Sequence, residues 1–158
     1  MIKYLNTQIV FKEIPNEISL AINITNCPNN CIGCHSPILK QDIGTELNSE
    51  TLQTLIEKNA GITCVLFMGG DADRLGLVKL AKFIKRNYNL KVGYYSGLDH
   101  FTQLDLQYFD YVKLGPYKQD RGGLDSIYTN QILYKINPID AEIYIYAVDN
   151  ITNKFWKN

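Results

Sequence analysis

The chain carries no surplus of either charge: Lys plus Arg and Asp plus Glu each number 16 in 158 residues. Binding to nucleic acid through phosphate neutralisation draws on surplus cations, so the balance argues against a nucleic-acid partner. No apolar run approaches the roughly 18–20 residues that span a bilayer, so no membrane segment is expected. Met1 to Asn6 are too polar for a secretory leader, and the expectation is a cytoplasmic protein. Internal repeats, low-complexity tracts and linker-like stretches are also missing, which predicts one domain over 1–158. The five prolines (Pro15, Pro28, Pro37, Pro116, Pro138) are scattered and punctuate turns. What remains is ordinary globular composition, 46% hydrophobic and 20% charged.

Periodicity supplies the elements. Ile9–Ile14 and Ile18–Ile24 have strand character, with Pro15-Asn16-Glu17 as the turn of an N-terminal β-hairpin. Ser49 reads as a helix N-cap, with Leu52, Leu55 and Ile56 forming an apolar stripe to about Lys58. Ile62–Met68 is apolar on both faces, as in a buried parallel strand. Leu75–Tyr88 has helical period, and Leu90–Tyr95 and Tyr111–Leu114 read as strands. Gln103–Phe109 suits a short helix, Tyr128–Ile136 suits either strand or helix, and Glu142–Val148 alternates as a late strand. Alternating strands and helices predict an α/β domain with a mostly parallel sheet. In such sheets ligands bind beyond the carboxyl ends of the strands. The loops after Ile24, Met68, Tyr95 and Leu114 should therefore share one edge.

One of those loops holds three of the four cysteines. It reads Thr25-Asn26-Cys27-Pro28-Asn29-Asn30-Cys31-Ile32-Gly33-Cys34-His35-Ser36-Pro37, a C-x3-C-x2-C spacing. Pro28, the Asn pair and Gly33 oppose a helix and favour a loop wrapped around something. Three soft thiolates suit an iron–sulfur cluster or zinc. A closed zinc site needs a fourth ligand, and only His35, adjacent to Cys34, or Cys64, within an apolar strand, stands near in sequence. A three-cysteine cubane would leave one iron open. A disulfide is the further alternative, disfavoured in a reducing compartment. Cys64 reads as a small core hydrophobe.

The cysteine motif at the tip of the first core strand resembles the radical S-adenosylmethionine superfamily. His35-Ser36-Pro37 after the motif and Gly69-Gly70-Asp71 after the next strand narrow this to the activating proteins of anaerobic ribonucleoside-triphosphate reductase. Tyr95-Ser96-Gly97, the run Asp110 to Tyr117 and the Asn130-Gln131 pair follow the family's order. The chain departs from the family at His35, where an aromatic or other residue often stands, at Ser19, where relatives often carry Arg, and over Leu124 to Thr129, which replace a Trp-Arg-Gly stretch.

The resemblance implies a [4Fe–4S] cluster on Cys27, Cys31 and Cys34, with S-adenosylmethionine on the open iron. Reductive cleavage of that cofactor would yield a 5′-deoxyadenosyl radical, which takes the Cα hydrogen of a glycine in the large reductase subunit. It also implies a one-electron donor such as flavodoxin or ferredoxin. By the same resemblance Gly33 and His35 would flank the adenine, and Gly69 and Gly70 would let backbone approach the cofactor. Asp71 would meet the methionine ammonium, and Ser96 the ribose or carboxylate. Other targets for the same chemistry, another glycyl-radical enzyme or a small molecule, and a zinc-binding interaction module remain as alternatives. A full eight-fold β/α barrel takes about 250 residues. At this length the expectation is an open, partial barrel of about five to six mostly parallel strands.

Overall fold

The computed structural model describes residues 1–156. One mixed sheet of eight strands runs through the molecule, in the order β3-β1-β2-β4-β5-β6-β7-β8. The strands are β1 (Lys3–Val10), β2 (Ser19–Ile24), β3 (Thr45–Glu46), β4 (Cys64–Met68), β5 (Lys91–Tyr95), β6 (Tyr111–Leu114), β7 (Ile132–Asp140) and β8 (Ile145–Asn150). Three helices join them: α1 (Ser49–Glu57), α2 (Arg74–Asn87) and α3 (Gln103–Tyr108). The class is α/β, and the sheet ends at β3 and β8 without closing. Among the described residues no helix is long and apolar enough to cross a membrane.

The parallel strands are β2, β4, β5 and β6, and antiparallel strands flank them on both sides. The expected five or six mostly parallel strands thus become four parallel strands within eight. The additions are antiparallel: β1 and β8 join by hairpins, and β3 and β7 are reached through long loops with no crossover α-helix. Period-2 alternation then sorts side chains to the two faces. Val65 and Phe67 of β4, Val92 and Tyr94 of β5, and Val112 and Leu114 of β6 meet the apolar stripes of α1 and α2. Cys64 and Leu66 face the other way, against Ile14, Tyr111, Leu124, Leu133 and Ile151. With both faces covered, β4 is apolar at every position, as its sequence indicates.

Several boundaries differ from the sequence reading. The hairpin exists, but its first strand is Lys3–Val10 rather than Ile9–Ile14. Lys3–Val10 carries polar residues on a largely solvated face, so its strand signal is weak. Ile14 leaves the strand and folds under the sheet, fully buried, against the site of Gly93 in β5. Asn48, not Ser49, caps α1, its side chain accepting from Thr51 N–H at 2.9 Å. In Tyr128–Ile136 only the second half is regular, and it is strand, paired to β6 with Leu114 opposite Ile132. The late strand is Ile145–Asn150, which begins three residues after Glu142. The two-residue β3 left no signal, and pairs with Lys3 and Tyr4.

Leu133 is fully buried between β6 and the C-terminal turn, whereas Ile127 is 62% exposed. Leu133→Ala should therefore cost about 2–5 kcal/mol in urea unfolding, and Ile127→Ala less than about 0.5 kcal/mol. Equal midpoints for the two variants would contradict this packing.

Candidate functional site

The carboxyl ends of the four parallel strands carry the irregular loops, and the loops touch. Gly69 and Gly70 follow β4 with φ of 104° and 120°, in the left-handed region that favours glycine. At Gly70 a Cβ would also stand 2.9 Å from Leu77 Cδ2. Chain direction and the start of α2 thus require these glycines without reference to any ligand.

Asp71 comes next, and its carboxylate is saturated. Oδ1 accepts from Ser96 Oγ at 2.6 Å and from Tyr94 Oη. Oδ2 accepts from Gly97 N–H at 2.8 Å and from Asn29 Nδ2 at 2.6 Å. Burial by itself would raise this carboxyl's pKa. The bonds from Ser96, Tyr94, Gly97 and Asn29 outweigh it and hold the group below its usual range. Tyr94, in turn, is pushed above its ordinary pKa by burial and by the Asp71 charge.

Ser96 is fully buried. Its hydroxyl donates to Asp71 and accepts from Leu98 N–H at 3.0 Å. Its carbonyl accepts from Lys113 Nζ at 2.9 Å. The geometry makes Ser96 a support for Asp71, and its hydroxyl does not face a surface where ligand would meet it.

The cysteine loop lies across this edge. Thr25 N–H donates to Lys3 O at 3.0 Å, Asn26 N–H to Gln41 O at 3.0 Å and Cys27 N–H to Leu39 O at 2.9 Å. The first ties the loop to β1, and the other two strap it to the segment before β3. Asn26 is left-handed at φ 59°, which its type tolerates. Cys34 N–H closes a turn on Cys31 O at 3.3 Å, with Gly33 at φ 72° inside it. A Cβ on Gly33 would also meet Gln119 Oε1 at 2.9 Å. His35 packs on Tyr117, ring centroids 4.6 Å apart, and so joins the cysteine loop to the loop after β6.

All four cysteines are free; Cys27, Cys31 and Cys34 are half-buried and Cys64 is fully buried. Burial raises the Cys64 thiol to about 12, in keeping with a core residue. Among the described residues no three His, Cys, Asp or Glu side chains gather as a single-ion site.

Cys34, His35, Tyr95, Lys113, Tyr117 and Gln131 line part of a cleft of about 690 Å³ on the sheet face opposite the helices. Lys113 is 8% exposed and donates to Ser96 O at 2.9 Å and Gly115 O at 3.2 Å. Burial lowers its pKa to about 8, opposed by the neighbouring Asp71, Cys31 and Cys27. The arrangement joins three soft donors, a buried cation and a cleft at one strand edge.

The structure thus brings Cys27, Asp71 and Ser96 of the sequence reading into one neighbourhood, with Asn29 joining the first two. The sequence reading missed Asn29, Tyr94, Gly97, Lys113 and Tyr117. A lysine inside the otherwise apolar Tyr111–Leu114 was the one available signal among them. Against known proteins the chain matches no family model, no curated protein and no solved structure.

Removing Asp71 strands four donors. Asp71→Ala should cost about 2–3 kcal/mol of unfolding free energy at pH 7. The unfolded carboxyl titrates near about 3.9 and the folded one lower, so its stabilisation is present above that pH and is lost as pH falls through the folded value. The gap between wild type and Asp71→Ala in urea should therefore narrow in acid. A gap of the same size at pH 3 and pH 7 would refute the charged, hydrogen-bonded state.

Proposed function

We propose that this chain is a radical S-adenosylmethionine enzyme, acting in the cytoplasm as the activating protein of an anaerobic ribonucleoside-triphosphate reductase. The observation that carries the reading is the placement of three free thiols on one loop at the carboxyl edge of the parallel strands, bonded through Asn29 to the Gly69-Gly70-Asp71 turn. The choice of target rests on the motif resemblance.

The donor set fits a [4Fe–4S] cluster. Cys27, Cys31 and Cys34 would each take a separate iron, so their thiols need not converge on one point as ligands to a single zinc ion must. Of the two candidates for a fourth protein ligand, Cys64 is shut in the core and His35 directly follows Cys34 in the chain, which favours the open cluster over a closed zinc site. His35 stacks on Tyr117, and Cys64 lies in the core. When bound, the cluster supplies the electron that cleaves S-adenosylmethionine and so furnishes the radical for the glycine hydrogen.

The chain's own residues bind and orient. Lys113 places a positive charge under the cysteine loop, where it opposes the charge of the thiolates. His35 and Tyr117 form an aromatic wall beside Cys34 that suits a purine face. Asp71, fully engaged by protein donors, holds the strand ends together and leaves recognition of the methionine ammonium to other groups. The sheet, read as a partial barrel, has its cleft on one open side. Closure by the docked glycine loop of the reductase would keep water from the reacting atoms.

Protein purified without oxygen should be brown, with about four irons and four sulfides per chain. Cys27→Ala, Cys31→Ala and Cys34→Ala should each abolish S-adenosylmethionine cleavage, while Cys64→Ala keeps its iron. Mixing with the large reductase subunit, reductant and S-adenosylmethionine should yield a glycine-centred electron paramagnetic resonance signal. Colourless protein holding one zinc would overturn the enzyme reading. Cofactor cleavage with no glycine radical would move the target elsewhere.

A further inference from the structure

The Asn29 amide sits at a three-way junction. Nδ2 lies 2.6 Å from Asp71 Oδ2 and 3.7 Å from Cys27 Sγ. A carboxylate only accepts, so the nitrogen, not the oxygen, of this amide must face Asp71. Two hydrogens are available on that nitrogen: one for the carboxylate, one for the sulfur. The third side of the junction is Gly97. A Cβ there would come within 2.4 Å of Asn29 Nδ2 and 2.8 Å of Cγ. Gly97 is outside the left-handed region, so its backbone does not demand glycine. The space above its Cα is what the Asn29 amide fills.

Geometry therefore separates two roles that usually come together. Most of the glycines at this edge are needed for chain direction, but Gly97 is needed for the neighbour it admits. Asp71 is itself fixed by Ser96, Tyr94 and Gly97 N–H, so it presents a rigid acceptor to Asn29. The rigid acceptor sets the plane of the amide, and the amide's second hydrogen is left for Cys27.

We propose that Asn29 is a positioning residue that donates an N–H to the Cys27 sulfur and tunes it as a metal ligand, with Asp71 orienting the amide and Gly97 providing its seat. The inference rests on the metal-binding reading of the cysteine loop. A hydrogen bond to a ligating thiolate lowers the energy of the sulfur lone pairs and fixes the ligand's direction. Loss of such a partner commonly weakens metal binding by about 10–100-fold.

Two variants remove the same contact by different routes. Asn29→Leu deletes both donors at nearly constant shape. Gly97→Ala leaves Asn29 in place chemically but evicts its amide, because the atoms it would displace end a flexible side chain. Apo-protein is reconstituted anaerobically with Fe(II) and sulfide, and the sulfur-to-iron charge-transfer band is followed against a competing iron chelator. Both variants should hold iron about tenfold or more weakly than wild type. Both should also show the band at longer wavelength, since a thiolate without its N–H donor gives up charge more readily. A change in loop stability alone would weaken binding without moving the band. Unshifted bands, or affinities within about twofold of wild type, overturn the proposal. So does an effect in one variant without the other, because the two share one amide. Wild type that forms no sulfur–iron band overturns the metal reading itself, a result distinct from wild type and variants binding alike.

Discussion

The carboxylate of Asp71 is the tie on which the functional edge depends. A carboxylate offers about four acceptor directions, and here all four are used. The donors come from β5, from the loop after it and from the cysteine loop, while Asp71 follows β4. Charge-assisted bonds of this kind are stronger than neutral ones, and their partners are half-shielded from water. The Ser96 backbone extends the tie to β6, its carbonyl accepting from Lys113 and its N–H donating to Lys113 O. One acidic side chain thereby holds three strand ends and the cysteine loop in a common arrangement.

Such an anchor explains why the site sits on a loop yet needs little else to order it. The cysteine segment has no regular structure between Thr25 and Ser36 apart from a tight turn. Its conformation is fixed at the start by bonds to the segment before β3, in the middle by Asn29 on Asp71, and at the end by His35 on Tyr117. The same edge carries a cleft on the face opposite the helices, walled by Tyr95, Lys113 and Tyr117. Helices thus cover one side of the sheet, and the other carries a smaller apolar cluster and the cleft.

Much of the parallel core was legible because its signals are local. Cys64–Met68 and Tyr111–Leu114 are short runs buried on both faces, and α2 shows its stripe within a few turns. The outer strands were less legible for a physical reason. Lys3–Val10 mixes polar and apolar residues along a sheet margin, and Thr45–Glu46 is too short to show any period. Tyr128–Ile136 looked ambiguous because a turn and a strand lie within it, and only pairing with β6 selects strand for the second half.

By itself the sequence determined what spacing and alternation encode: the three-cysteine loop, the Gly-Gly-Asp turn, the apolar strands and the α/β order. Tertiary structure alone decided what each polar group does. Asn29 and Asp71 are 42 residues apart, and Asp71 and Ser96 are 25 apart. No local pattern announces such pairs, because a hydrogen bond depends on where the sheet delivers each strand end. The same reason set Asp71 and Ser96 into one internal tie, and brought Asn29 and Gly97, named in the sequence only as loop and turn residues, beside a cysteine.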